Sequence, residues 1–308
     1  MRRRNKTTTD FWVPLGDTPT GQADAGAAII GDRLYLIGGY GNTATDPLDT
    51  VSVFLSINNT WGRATSAPYR AWGGACAALD VFIYYFGGCG AGRRASRYDT
   101  VTLDWEFIRP LPVDLDNSQG HAIVADVKNS RIFIVGESGG NGSRELWVYY
   151  PDTDYYYRMK DLPEPLGWSA VSLWGESIYV LGGYNGETEQ PTGSAYQYDI
   201  RSDTWKSLKR IPGQPRYGMM REATAIKGFI PIIDGLDKTF FYDSAYFYNT
   251  ADGKYYRGAD TTMKRDGVSG GVIDGTIYLA GGRNRLRLPQ GLTRLERYKP
   301  DLDSLTPA

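Results

Sequence analysis

RLYLIGGY (Arg33–Tyr40), FIYYFGGC (Phe82–Cys89), SIYVLGGY (Ser177–Tyr184) and TIYLAGGR (Thr276–Arg283) are one phrase written four times. Apolar residues run into a glycine pair, and the residue after the pair changes. Two degenerate copies complete the set: RIFIVGES puts Gly136, and FIPIIDGL puts Asp234, where the first glycine stands. In order, Gly38, Gly87, Gly136, Gly182, Asp234 and Gly281 are 49, 49, 46, 52 and 47 residues apart, so the chain holds six units. A period of about 20–50 residues is the signature of a repeat architecture.

A second landmark keeps the same beat. Trp12, Trp61, Trp105, Tyr156, Trp205 and Tyr255 each stand seven residues before a fixed slot. Pro19, Pro68, Pro112, Pro163 and Pro212 fill that slot, and Thr262 is the exception. Seven residues before the last five of these aromatics come Phe54, Tyr98, Tyr149, Tyr198 and Tyr248. Each unit reads as four short strands; in the fourth they are WSAVSLW, SIYVLGG, SAYQYDI and TWKSLKR, separated by turn residues. The second strand is almost wholly apolar, as expected when both its faces are covered. A glycine pair weakens a strand, so its repetition points to close backbone approach near the centre of a radial array.

Glycine pair, third-strand aromatic and an aromatic seven residues later together resemble the kelch repeat, and the resemblance runs from about Asp10 to about Ser304. It implies an all-β fold: a six-bladed propeller of four-stranded antiparallel blades. Unit six has three strands and unit one is preceded by a lone outer-strand landmark. The N-terminal segment is therefore expected to supply the outer strand of the last blade and close the ring, hiding edges that would otherwise be exposed. The expected division is a disordered basic tail over 1–9, the closing strand over 10–19, and blades over 20–67, 68–111, 112–162, 163–211, 212–261 and 262–304.

Composition limits the function. The chain has 308 residues, 38 of them glycine and 23 tyrosine, and its 34 basic residues are balanced by 35 acidic ones. That balance argues against a general nucleic-acid or membrane-surface binder, and no apolar run is long enough to span a bilayer. Two cysteines fit a soluble cytoplasmic protein, although the sequons at Asn5, Asn58 and Asn141 point the other way. Cys76 should face about Tyr85 across a hairpin, which leaves Cys89 about 13 Å further along the strand. Two thiols are expected, not a disulfide.

Labelling the strands A to D from the centre outward, the A–B and C–D turns share one face of the disc and are nearly uniform. On the other face the distance from glycine pair to third-strand aromatic varies: 16, 11, 13, 16, 14 and 17 residues. A rigid scaffold with variable loops on one side is the usual arrangement for a binding surface. The changing eighth residue is where each blade reaches that face. The candidates are Tyr40, Cys89, Tyr184, Arg283 and Arg285 from the B–C loops, with Arg70, Trp72, Trp168, Arg216, Tyr217 and Arg265 from the D–A loops. Arginine, tyrosine and tryptophan dominate interface hot spots. In kelch proteins that hold partner peptides, loop arginines hold acidic side chains, so the resemblance implies an acidic protein or peptide partner gripped by Arg70, Arg216 and Arg265. The competing reading of each arginine is a local bond that closes a blade top.

A second function class is enzymatic, since some kelch propellers are sugar mutarotases or biosynthetic catalysts. Its residues would be Glu137 and Asp234, which replace glycines, with Arg216 and Arg283. The plainer reading of the two carboxylates is looser packing in degenerate repeats. His121, in GHAIV, is the sole histidine, which excludes a His-rich copper or zinc site within the chain. The iron site of the plant specifier relatives is not carried over, because Val113 and Asn117 stand where its carboxylates would be. No cofactor or metal is expected. No recruiting domain accompanies the repeats, so an adaptor role would depend on a larger assembly. The sequence favours binding over catalysis.

Overall fold

The computed structural model describes residues 11–41, 46–112, 120–137, 143–284 and 290–308, and of Glu137 the backbone alone. The strands form six small antiparallel sheets around a central axis, a six-bladed β-propeller. Blade 1 runs Gly26–Ile30, Arg33–Ile37, Val51–Leu55 and Thr60–Arg63 from the axis outward. Blades 2, 3 and 4 repeat the order, their inner strands being Ala75–Leu79, Ala122–Asp126 and Ala170–Trp174. Blade 6 has Asp266–Ile273, Thr276–Arg283 and Leu295–Tyr298, and its fourth strand is Val13–Pro14 from the other end of the chain.

The seven-residue spacing of the aromatics is a pairing register. Phe54 lies opposite Trp61, Tyr98 opposite Trp105, Tyr149 opposite Tyr156, Tyr198 opposite Trp205 and Tyr248 opposite Tyr255. Trp12 stacks on Tyr298 as the sixth pair, and ring centroids across the six lie 4.7–5.2 Å apart. The outer aromatic of each pair also has a polar tip to satisfy. Trp61 Nε1 donates to the carbonyl of Gly16, Trp105 Nε1 to Thr65, Tyr156 Oη to Arg109, Trp205 Nε1 to Lys160, Tyr255 Oη to Lys209 and Trp12 Nε1 to Ala259. Every acceptor stands four residues after the aromatic of the preceding blade. The six staples form a closed outer ring, and tyrosine can replace tryptophan in it because both offer a donor at the end of a flat apolar body.

An inner ring mirrors it. The amide of Gly73 donates to the Asp24 carbonyl (2.7 Å), Gly120 to Gly73 (3.1 Å), Trp168 to Gly120 (2.7 Å), Gly218 to Trp168 (3.1 Å), Gly267 to Gly218 (2.8 Å) and Asp24 to Gly267 (2.8 Å). One residue from the start of each inner strand takes part, and all six have φ between 53° and 79°. Four are glycine, which adopts this conformation freely; Asp24 and Trp168 do so against the preference of an L-residue.

The glycine pairs sit where adjacent blades touch. The first position is left-handed in all six blades, with φ of 55–67°, Asp234 included. A Cβ on Gly281 would lie 1.9 Å from the Gln22 carbonyl oxygen, and one on Gly136 2.1 Å from that of Leu166. The second glycine donates its amide to the next blade, as Gly39 does to Ala71 and Gly282 to Gln22.

Two departures from the regular plan fall on blade 5. Its regular strands are Phe229–Ile233, Ala245–Asn249 and Lys254–Arg257, and the C-terminal pair Thr306–Pro307 adds an outer fourth. The segment in the innermost place forms a parallel bridge with blade 4 instead: Val171 N donates to Arg221 O (2.8 Å) and Ala223 N to Val171 O (2.9 Å). No disulfide joins Cys76 and Cys89; Cys76 is buried opposite Tyr85, the register expected from the hairpin. No helix among the described residues is long and apolar enough to cross a membrane.

Candidate functional site

Arg221 sits on blade 5's irregular inner segment. The residue three places after each inner-ring member lies on the inner segment near the axis; in the other blades these are Ala27, Cys76, Ile123, Val171 and Gly270. Arg221 is the long one, and its side chain crosses the axis from blade 5 to blades 1, 2 and 3. Nη1 donates to the carbonyls of Gly73 (2.9 Å) and His121 (3.1 Å), and Nη2 to those of Ala25 (3.2 Å) and Gly74 (3.0 Å). The Trp168 ring lies 5.2 Å from the guanidinium carbon on the other side. A planar, always-charged fork suits this cradle of four carbonyls.

Above this plug, on the variable loop face, lies a mouth of about 200 Å³ lined by Asp24, Trp72, Trp168, Tyr217, Gly218, Asp266 and Arg283. The loops bring its walls in as side chains on short bridges: Trp72 pairs with Cys89, Ala23 with Tyr40, and Tyr217 with Leu236. Tyr40 packs edge-on against Trp72, and Tyr184 against Tyr217. Arg283 holds Asp266 in a two-pronged pair, Nε to Oδ1 at 2.9 Å and Nη2 to Oδ2 at 3.1 Å. The inner-ring glycines leave room for the carboxylates: a Cβ on Gly267 would meet Asp24 Oδ1 at 2.6 Å, and one on Gly218 would meet Asp266 Oδ2 at 3.0 Å. Burial pushes both acids up, Asp266 to about 6, and Arg283 opposes the shift in each. Burial also raises the Tyr40 phenol. With both aspartates ionised, their charges are met by Arg283 and, at Asp24, by Arg221 as well.

Several expected residues meet here: Tyr40, Trp72, Trp168, Tyr217 and Arg283 at the mouth, with Cys89 and Tyr184 beside it. Arg70 is exposed on the rim and shared between Asp46 (3.4 Å) and Asp49 (3.7 Å). Arg216 and Arg265 are corrections. Arg216 is buried between the rings of Tyr242 and Tyr246 and donates to Ser244 Oγ. Arg265 is fully buried, its guanidinium paired with Asp234 (3.0 Å) and Glu296. Neither presents a charge to a partner; both close blade tops, which was the competing reading.

Asp234 is likewise interior, bonded to Thr261 and Arg265, with burial lifting its carboxyl to about 7. It does not face the mouth, so it makes no acidic pair there with Glu137. Glu137 ends the second strand of blade 3 opposite Ser143; the expectation for its side chain, and that for Arg285, fall outside the described residues. His121 is buried and neutral, Nε2 sitting 3.0 Å from the Phe86 carbonyl, and burial lowers its pKa to about 3.

Sequence reasoning missed Asp24, Asp266, Arg221 and Glu222. The signal was available: aligning the inner-strand starts ADAGAA, WGGACA, QGHAIV, GWSAVS, YGMMRE and DGVSGG shows aspartate and tryptophan at a glycine position and one arginine on the axis.

The profile of the Kelch motif matches residues 23–67 and 169–210. Two of the six units, the first and the fourth, thus match that motif. It is similar to Kelch-like protein 25 of Xenopus tropicalis, 26% identical over 210 residues, covering 64% of this chain and 34% of that protein. Kelch-like protein 26 of Danio rerio is 25% identical over 193 residues, 60% of this chain and 31% of the relative. Kelch-like protein terF of Aspergillus terreus is 21% identical over 281 residues, 83% of this chain and 60% of the relative. The chain thus spans about a third of the length of the vertebrate relatives it matches. Among solved structures, that of YjhT superposes with a TM-score of 0.78 at 14% identity, over 96% of this chain and 99% of that one, which supports the fold.

Proposed function

We propose that this kelch propeller is a recognition module that binds a protein segment on the loop face around the mouth. The observation that carries the reading is the ring of half-exposed aromatic residues, Trp72, Trp168, Tyr184 and Tyr217, around a charged floor. Aromatic anchors around a water-excluding pocket are the composition of an interface hot spot. The size argues the same way: about 200 Å³ is below the ~300–1,000 Å³ of typical small-molecule sites and suits one inserted side chain. An acidic partner loses its support, since Arg216 and Arg265 are interior and Arg283 is matched by Asp266. The mouth favours a side chain that donates hydrogen bonds, such as an arginine or lysine of the partner. The test is affinity capture with mass spectrometry, comparing wild type with a Trp72→Ala/Tyr184→Ala variant of unchanged melting temperature. A partner recovered by wild type and lost by the variant is the expected result; equal recoveries would discard the docking face.

A second reading rests on one feature: Asp24 and Asp266 converge on the mouth with raised pKa values, a pattern that marks functional sites. Under it the mouth acts on a small molecule, in the manner of a sugar mutarotase or a biosynthetic catalyst, with Asp24, Asp266 and Arg283 replacing the expected Glu137, Asp234 and Arg216. Exchange NMR of the anomeric protons of reducing sugars tests mutarotation directly. An interconversion rate unchanged by the protein would remove it.

A further inference from the structure

On the far side of the Arg221 plug a second cavity of about 280 Å³ follows the axis towards the A–B turn face. It is separate from the mouth in residues and in chemistry. Its walls are the inner strands, kept thin by Ala27, Ala77, Ala78, Gly270 and Gly271; Ile29, Val127, Leu173 and Val272 line it as well. Against this apolar lining stand the polar side chains of Glu222 and Ser172, with the exposed Thr224 beside them. Glu222 Oε1 and Ser172 Oγ are both buried, and neither has a hydrogen-bond partner. A buried carboxylate oxygen without a donor is costly and rare in a native protein. Two such atoms lining one cavity indicate a ligand that supplies the missing donors.

We infer that this channel binds a linear aliphatic ammonium group, its charged head between Glu222 and Ser172 and its chain along the apolar channel. An ammonium offers three donors and a full charge in a small head. It thereby meets the orphaned carboxylate oxygen with a donor and a countercharge at once. A neutral alcohol would give one donor and no charge. The resident cation does not fill this role, because the Arg221 guanidinium spends its Nη donors on four carbonyls at the top of the channel. The groups acting on Glu222 are the Arg221 charge, the Cys76 thiol, which burial keeps protonated, and the backbone N–H groups of Cys76 and of Glu222 itself, which favour its ionised form. Burial holds the Glu222 carboxyl at about 7. Ammonium binding draws on the ionised form, so affinity should rise as pH rises through that value. The same chemistry has two sources, a free alkylamine or a lysine side chain of a docked protein.

The probe is n-hexylamine, titrated calorimetrically against the full chain above neutral pH, with n-hexanol as the uncharged control. Wild type should bind the amine more tightly than the alcohol. Glu222→Gln should weaken the amine about tenfold or more, as expected for loss of a charged hydrogen bond, and leave the alcohol within about twofold. Ala125→Phe, which narrows the channel without touching Glu222, should weaken both. Asp266→Asn, at the mouth, should leave intact the amine binding that Glu222→Gln removes. No amine binding to wild type, equal binding by Glu222→Gln, or a loss confined to Asp266→Asn would each overturn the assignment. Competition with an Nα-acetyl-lysine methylamide probe separates the sources: displacement of the amine admits a protein lysine, and no displacement restricts the site to free amines.

Discussion

A single methyl group distinguishes two kinds of glycine in this chain. Gly31 and Gly281 both have positive φ, 60° and 66°, yet an added Cβ at Gly31 meets nothing within 4 Å, whereas at Gly281 it would overlap the Gln22 carbonyl at 1.9 Å. Gly31→Ala should cost about 1 kcal/mol, the backbone preference alone. Gly281→Ala must also push blade 6 off blade 1 and break the Gly282 amide bond to Gln22, so its cost should exceed about 3 kcal/mol. Urea unfolding of both variants decides this; similar midpoints would mean that the glycine pair is a conformational preference and not a contact. The pair was the most legible feature of the sequence because its cause is local and repeated six times. Asp234 was less so. It occupies the same left-handed position, but its meaning depends on Arg265 and Glu296, which are distant in sequence and close around it only in the folded ring.

At the level of strands, both chain ends pair with blades laid down elsewhere, and the two attachments are unequal. The N-terminal strand brings in Trp12, which is 3% exposed, stacks on Tyr298 and donates to Ala259. Removing it opens the outer ring of staples and bares an edge of blade 6. The C-terminal strand contributes Thr306 and Pro307, both exposed, to the outside of blade 5. Deleting residues 1–20 should therefore lower the melting temperature of the entire propeller, with a loss of at least the ~3–5 kcal/mol typical of removing a buried aromatic. Deleting 305–308 should cost less than about 1 kcal/mol, a few exposed contacts. Calorimetry gives both numbers, and an N-terminal deletion that melts like wild type would sink the ring closure. The first attachment was legible, since Trp12 repeats the outer-strand landmark of every unit. The second was not: KPDLDSLTPA has no strand period, and it pairs because the outer edge of blade 5 is free to receive it.

The whole molecule places its ionisable groups in an unusual way, with four acids, Asp24, Glu222, Asp234 and Asp266, raised by burial along the axis and between blades. Burial lifts Glu222 and Asp234 to about 7 and Asp266 to about 6. An acid held above its ordinary value binds its proton more tightly folded than unfolded. Unfolding then releases protons between the two values, and stability falls as pH rises through that window. Of the groups with lowered values, Asp199, Asp237 and Asp252 act below the ordinary aspartate range, while His121, lowered to about 3, costs stability as pH falls through its ordinary 6.5 and offsets part of the gain from the raised acids. The propeller should consequently be more stable near pH 5 than near pH 8. None of this was legible in composition, because a balanced charge count does not say which acids lie inside.

Glu222→Gln isolates one contribution. Near pH 5 the wild-type carboxyl is protonated and resembles the amide, so the two proteins should have similar stability. Near pH 8 the wild type must hold a buried charge that the variant lacks. From the ordinary 4.5 to about 7, the variant's advantage there should be on the order of 3 kcal/mol. Guanidinium unfolding of both proteins across that range measures it. A difference that stays constant with pH would show that Glu222 is ionised throughout, and the channel would then have to hold a countercharge already when empty. A difference that grows with pH and collapses on adding n-hexylamine would tie the stability of the ring to the occupancy of its axis.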